Sequence, residues 1–253
     1  MKRREARNFY LYTAPWLIGF FVLTLYPIVY SFYLMFTDMN LTGVGKFIGL
    51  ENLKYAFTDD PLFIKAFINT LKYVVMFVPS SIILAFFVAL LLSKKVKGLG
   101  FFRTAFYIPY ITSGVAVTIL WGWIYQKDYG IINYVLSLFG IKGVNWLGDK
   151  NIAMISIVIL SLWTIGNNII IMLAGIQDIP QSYYESAQID GAGAIRQIFS
   201  ITLPLCTPTI YFNLIVTIIA AFQVFQQPLI LTNGGPLNST YTAAIHMYNN
   251  GFL

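Results

Sequence analysis

Residues 179–204 read IPQSYYESAQIDGAGAIRQIFSITLP, a polar, glycine-broken stretch between two long apolar runs. Pro180 suits the first turn of a helix, with Asp178 as a cap just before it. That helix runs to about Ile189. Asp190, Gly191 and Gly193 then supply turn chemistry, because glycine tolerates positive φ and close backbone approach. A second helix from Ala194 places Ile195, Ile198, Phe199 and Leu203 at i, i+3, i+4 and i+8, the spacing of an amphipathic stripe. Pro204 and Pro208 mark entry into the next apolar run. The predicted unit is a helix–turn–helix across one end of a helical bundle, with Tyr183, Tyr184 and Glu185 presented outward. Residue chemistry alone leaves two readings open: an interfacial connector between spans, or a docking surface.

Composition fixes the setting. Of 253 residues, 58% are hydrophobic and 10% charged, whereas soluble domains carry about 25% charged residues. Such a chain belongs in a lipid bilayer. A single cysteine, Cys206, excludes an internal disulfide and a cysteine metal cluster. A single histidine, His246, excludes a His-rich metal site. The net charge of +6 is spread over short loops beside apolar spans, so it is no nucleic-acid signature.

Five segments reach the roughly 20 apolar residues that cross a bilayer core: about 14–37, 73–93, 104–126, 152–177 and 205–231. None contains Asp, Glu, Lys, Arg or His. Pro27, Pro79, Pro109 and Pro208 lie inside them and imply kinks absorbed by neighbouring helices. The fold class is therefore an all-α, polytopic membrane bundle, since the alternation of a barrel is absent. The first run is too long for a cleaved signal peptide and is followed by bulky Tyr33, Leu34, Met35 and Phe36. Lys2, Arg3, Arg4 and Arg7 precede it, and Lys94, Lys95, Lys97 and Arg103 crowd the loop between the second and third spans. This bias predicts a cytoplasmic N-terminus, which places residues 178–204 in the cytoplasm too.

YESAQIDGAGAIRQIFSITLP resembles the EAA motif of binding-protein-dependent ABC importer permeases. Glu185, Ala187, Gly191, Ile201, Leu203 and Pro204 match it at the family's spacing, and Ser186 replaces the middle alanine. APWLIGFFVLTLYPIVYSFYLMFTD, FIGLENLKYAF, FINTLKYVV, FFRTAFYIPYITSGVAVTILWGWIY, NWLG and LTNGGPLNSTYTAAIHMY resemble the sugar-importer branch, similar to the maltose and glycerol-phosphate systems. The resemblance covers essentially the whole chain, in order.

It implies the fold of a type I ABC importer permease, one transmembrane domain over 1–253. It implies that the loop is a coupling helix docking onto a cytoplasmic ABC ATPase through Tyr184, Glu185, Ser186, Ala187, Asp190, Gly191 and Ala192. Glu185 would make the polar contact, Ala187 the close packing and Gly191 the turn, where a bulkier residue is expected to misaim the two helices. The implied partners are an ATPase dimer, a second and distinct permease chain, and an extracytoplasmic sugar-binding protein. ATP and magnesium belong to the ATPase, so this chain is expected to hold no cofactor and to be no enzyme by itself. The family has six core spans per permease, so a last span is expected beyond Leu253.

No G-x-x-x-x-G-K-[ST] loop occurs; GVGKF (43–47) and DGAGA (190–194) lack the rest of any nucleotide fingerprint. A sugar path calls for uncharged polar groups and aromatic faces. The fourth span offers Ser161, Thr164 and Asn168, with Trp163 and Asn167 alongside. The fifth offers Gln223, Gln226 and Gln227 before Pro228. Polar side chains at membrane depth usually face the bundle interior, as a path or as glue between helices. Trp121 and Trp123 read as interfacial anchors. Two rival functions stand against the importer. An ion-coupled secondary transporter of a polar uncharged solute normally needs an intramembrane acid, which no span supplies. A membrane enzyme would have only the Asp59-Asp60 pair, which sits in a turn before Pro61. NLT at Asn40 and NST at Asn238 fit glycosylation sequons.

Overall fold

The computed structural model describes residues 2–39, 45–94 and 98–252. Asn40, Gly43, Lys95, Lys97 and Leu253 lie outside the described residues, as do the side chains of Lys2 and Arg3. The elements in order are α1 (Lys2–Gly19), a π-helical turn (Phe20–Leu25), α2 (Tyr26–Leu34), β1 (Thr37–Asp38), β2 (Lys46–Phe47), α3 (Glu51–Thr58), α4 (Phe63–Ser93), α5 (Leu99–Ile111), α6 (Gly114–Ile124) and α7 (Ile131–Leu138). Then follow α8 (Ala153–Trp163), α9 (Gly166–Gln177), α10 (Gln181–Ile189), α11 (Ala194–Gln197), a π-helical turn (Ile198–Thr202), α12 (Leu203–Leu205), α13 (Thr207–Phe222), α14 (Gln226–Thr232) and α15 (Ala243–Phe252).

The backbone divides into two compact units, Met1–Ile64 and Lys65–Leu253. In the first, Arg7–Leu34 is long and apolar enough to cross a membrane, and none of that stretch is buried. Its helix ends before Thr37, three residues short of the expected end, because Thr37 turns back into a hairpin pairing with Phe47. The Asn52 amide holds that corner by donating to the carbonyls of Met35 (3.1 Å) and Thr37 (3.0 Å). Asp60 caps the next helix: its Oδ1 accepts the backbone N–H of Leu62 (2.8 Å) and Phe63 (3.1 Å). Pro61 between them has no N–H to satisfy, the usual logic of a first-turn proline. The capped start explains why α4 begins ten residues before the apolar run at Tyr73 that the sequence singles out.

The second unit is organised on α4, which runs unbroken through Pro79. One stripe of α4 (Ala85, Ala89, Leu92) packs with Ile169, Met172 and Leu173 of α9. The other (Tyr73, Val74, Val78) packs with Met154, Ile157 and Val158 of α8 and with Ala221. Helices in lipid gain nothing from hiding apolar surface from one another, so close approach and polar links hold them. The Tyr73 hydroxyl accordingly donates to Ser161 Oγ at 2.9 Å, and Tyr125 to the Ser156 carbonyl at 2.8 Å.

Two of the five expected spans are bent within their length, and a third is bent at its start. Among the described residues two straight helices could cross a membrane, or up to five if each bent pair counts as one. The expected span 104–126 is α5 and α6 at 98°. Thr112 and Ser113 take extended backbone there (ψ 147° and 121°), and Thr-Ser-Gly is a breaker that the apolar flanks mask in the sequence. The expected span 152–177 is α8 and α9, bent by 51° at Thr164 and Ile165 with no proline nearby. A Cβ on Gly166 would lie 2.5 Å from the Phe106 carbonyl oxygen, so just after the bend α9 passes α5 at a distance only glycine allows. At the start of the expected span 205–231, the second arm (Ala194–Leu205) meets Thr207–Phe222 at 66° across Cys206, between Pro204 and Pro208, and the helix stops at Phe222. Thr242 Oγ1 donates to the freed Val224 carbonyl (3.0 Å) and stabilises this early end.

On the α6–α8 connection, buried Asn133 closes a loop by itself. Its Nδ2 donates to Lys127 O (2.9 Å) and Val144 O (2.8 Å), and its Oδ1 accepts from Val144 N (3.0 Å) and Trp146 Nε1 (2.9 Å). Asn133→Leu leaves these groups unpaired, at roughly 1–3 kcal/mol for each one kept from water. Limited proteolysis should then cut between residues 127 and 146 far faster than in wild type. An unchanged rate would show that the loop is held elsewhere.

Candidate functional site

The 178–204 loop takes its predicted form, with one shift in its capping. Asp178 closes α9 as its C-cap, its N–H donating to Ala174 O at 3.0 Å, rather than capping the next helix. Pro180 itself is the N-cap of α10, in extended conformation (φ −58°, ψ 133°). Asp178 lies two residues before that N-cap, and α10 has no side-chain cap.

The end of α10 is a Schellman motif. The Ala192 N–H donates to Ala187 O (2.8 Å), and the Gly191 N–H to Gln188 O (3.0 Å). Gly191 sits at φ +76°, in the left-handed region. A Cβ there would meet nothing within 4 Å. The glycine is therefore required by backbone conformation, and not by crowding within this chain. Ala187 and Ala192, the two ends of the outer bond, are half-buried, as the apolar contact of such a cap requires.

The second arm runs from Ala194 to Leu205, and a π-helical turn at Ile198–Thr202 changes its register. The stripe expected on a regular helix is therefore split. Ile198 and Leu203 pack on the α4–α9 core, while Ile195 and Phe199 are 74% and 61% exposed. Two bonds lock the arms together: Tyr184 Oη with Thr202 Oγ1 (3.0 Å), and Gln197 Nε2 donating to Ala192 O (2.8 Å). Tyr184 thus faces inward. Glu185, Ser186 and Asp190 are exposed on the other side, with Ile189 beside them at 87% exposure. The arrangement is a braced elbow with a mixed carboxylate and aliphatic outer face. Ile189 escaped the sequence reading because an apolar residue at a helix end looks like core until the elbow's orientation is known.

The candidate path residues fall into different settings. Thr164 Oγ1 donates to Ser161 O (2.9 Å), Ser161 receives the Tyr73 hydroxyl, and Asn168 Nδ2 donates to Thr217 Oγ1 (2.7 Å). These three spend polar atoms on helix contacts. Asn167 is half-buried beside them. The bend at Thr164 breaks the i, i+3, i+7 alignment assumed for them. Gln223 is the exposed C-cap of α13, while Gln226 and Gln227 are half-buried at the start of α14. Gly114 opens α6 against Gln226, whose Oε1 lies 2.9 Å from where a Cβ would be. Trp163 meets Trp121 edge to face, ring centroids 5.6 Å apart. Both border a largely apolar cavity of about 380 Å³. Trp121 therefore points into the bundle, against the expectation of an interfacial anchor, whereas Trp123 is exposed. Among the described residues no group of three or more His, Cys, Asp or Glu could hold a metal ion.

The family model described as "Binding-protein-dependent transport system inner membrane component" matches residues 61–253. The probable ABC transporter permease protein YesP of Bacillus subtilis is 38% identical, over 99% of this chain and 82% of that protein. The sulfoquinovosyl glycerol transport system permease protein SmoG of Agrobacterium fabrum is 35% identical, over 95% and 79%. The trehalose/maltose transport system permease protein MalF of Thermococcus litoralis is 33% identical, over 98% and 85%. Among solved structures, a chain of a bacterial alginate ABC transporter, in complex with an alginate pentasaccharide-bound periplasmic protein, is similar with a TM-score of 0.77. It is 25% identical, over 99% of this chain and 86% of that one.

Proposed function

We propose a function from one premise: the chain belongs to the family of binding-protein-dependent transport system inner membrane components. It is a permease subunit of the ABC importer kind, and its cargo in this reading is a sugar or sugar derivative. The relatives named above carry sulfoquinovosyl glycerol and trehalose or maltose in their names, and this chain offers amides and indoles, with no charge in its apolar segments. Trp163, Asn167, Gln223, Gln226 and Gln227 are the proposed path, while Thr164 and Asn168 support its helices by donating to Ser161 and Thr217. Amide groups suit sugar hydroxyls, and the Trp163 face suits a pyranose ring.

The observation that carries the coupling half of the proposal is the braced elbow, whose exposed face holds Glu185, Ser186, Ile189 and Asp190. An aliphatic side chain left in water beside two carboxylates calls for a partner with a matching apolar and basic groove. We assign that groove to a cytoplasmic ABC ATPase, which binds ATP and magnesium while this chain binds neither. Closure of an ATPase dimer would then move the elbow as a rigid body, because the Tyr184–Thr202 and Gln197–Ala192 bonds keep it from folding on itself. A second, distinct permease chain and an extracytoplasmic sugar-binding protein complete the assembly. In this reading the N-terminus and the elbow both lie in the cytoplasm, a placement supported by the basic residues at the start of α1 and by Lys94 and Arg103 around the α4–α5 connection.

The test is purification of the full-length protein from its own membrane in mild detergent, with identification of what accompanies it. An ABC ATPase and a second permease are expected. Glu185→Arg should reduce the retained ATPase by about tenfold or more, the scale of one lost charge-assisted hydrogen bond. Wild-type chain that purifies alone would make the elbow a mere connector and return attention to a self-sufficient transporter.

A further inference from the structure

A cavity of about 750 Å³ lies behind the elbow, where the apolar run of α4 gives way to the basic loop. Phe87 and Leu91 of α4 form an apolar wall, and both are exposed. Lys94 and Arg103 bring positive charge to its rim, and Tyr184 and Gln188 of α10 face them from the other side. Among the described residues that line it, none is acidic. Arg103 is half-buried and donates through Nη2 to the Leu92 carbonyl at 3.2 Å, while its Nε is buried without a partner among the described residues. A buried guanidinium nitrogen without an acceptor is costly unless an anion reaches it.

We propose that this cleft binds the phosphate group of an anionic phospholipid. The headgroup would sit between Lys94 and Arg103, and an acyl chain would lie along Phe87 and Leu91. The cavity is divided as a phospholipid is, with one apolar side and one cationic, donor-rich end, at the depth where the helix leaves the bilayer core. A free phosphate would satisfy the cations and leave the apolar wall unused. Because α10 forms one wall, the bound lipid braces the elbow from behind. The inference rests on the proposed function only in placing the elbow's end of the bundle at the cytoplasmic leaflet.

The experiment uses the transporter purified with its partners, in nanodiscs containing equal amounts of phosphatidylglycerol and phosphatidylcholine with matched chains. Native mass spectrometry then counts the lipids retained. Phosphatidylglycerol should be retained over phosphatidylcholine by on the order of tenfold, given the attraction of each cation near a membrane surface. Lys94→Gln should cut that preference by about fivefold. Lys94 is exposed, so this variant should fold even if Arg103→Gln does not. Equal retention of the two lipids, or an unchanged preference in Lys94→Gln, would overturn the site. Displacement of phosphatidylglycerol by millimolar inorganic phosphate would overturn the lipid assignment in favour of a free anion. The ATPase content of the same preparations reports separately on the coupling reading, so failure of one does not imply failure of the other.

Discussion

Gly191→Val should lower sugar uptake by about tenfold while leaving the amount of protein in the membrane unchanged. Gly191 holds φ +76° at the cap of α10, and a β-branched residue forced into that conformation costs on the order of 1–2 kcal/mol. Relief comes from letting the backbone leave the left-handed region. That breaks the bonds from Ala192 to Ala187 and from Gly191 to Gln188 and swings the second arm away from the first. The partner surface would then meet an elbow aimed elsewhere, populated in the right geometry only a fraction of the time. Because a Cβ here meets no atom of this chain, size is not the deciding variable. Gly191→Asn, which tolerates the left-handed conformation, should keep most of the uptake. Labelled-sugar uptake beside an immunoblot of membranes separates the cases. If Asn and Val are equally harmful, the site is limited by contact with the partner and not by backbone conformation. Normal uptake by Val would remove the elbow from the transport mechanism.

Gly166→Val should instead damage the fold. Its Cβ would fall 2.5 Å from the Phe106 carbonyl oxygen and 3.0 Å from Tyr107 Cα, so backbone must move. Overpacking usually costs about 1–3 kcal/mol, and a clash with backbone belongs at the upper end because no rotamer relieves it. Gly175 offers the contrast: its added Cβ would meet the Thr209 side chain. Gly175→Ala should therefore be rescued by Thr209→Ala, while no truncation on α5 should rescue Gly166→Val. Cys206 is the chain's single cysteine and is buried. Its reaction with a maleimide on heating thus reads the opening of the α4–α9 core. The Gly166 variant should react several degrees earlier than wild type. Reaction at the wild-type temperature would show that α5 and α9 can separate without loss of the core.

The elbow was readable because its chemistry is local. Asp190 and Gly191 announce a turn wherever they occur, and Pro180 and Pro204 bracket the two arms. What could not be read was the phase of the second arm, since the π-helical turn at Ile198–Thr202 puts Leu203 out of the expected line with Ile195, and Ile195 and Phe199 are left exposed. The polar residues of the fourth span show the converse difficulty. Ser161, Thr164 and Asn168 look alike as candidates in sequence. Only their neighbours reveal that each is already engaged, with Tyr73, the Ser161 carbonyl and Thr217.

By itself the sequence determined the bilayer setting, the five apolar segments, the absence of charge inside them and the turn at Gly191. These follow from composition and from the few residues around each position. The tertiary structure decided where those segments break. An apolar run in lipid has no wet side, so nothing along it marks where a helix must end or tilt. Just after the bend at Thr164, Gly166 meets Phe106, sixty residues earlier in the chain, whose carbonyl leaves room for glycine alone. The end at Phe222 is held by Thr242, whose hydroxyl takes up the Val224 carbonyl. Close backbone approach and the satisfaction of freed carbonyls are pairwise conditions between distant residues, and no local pattern encodes them.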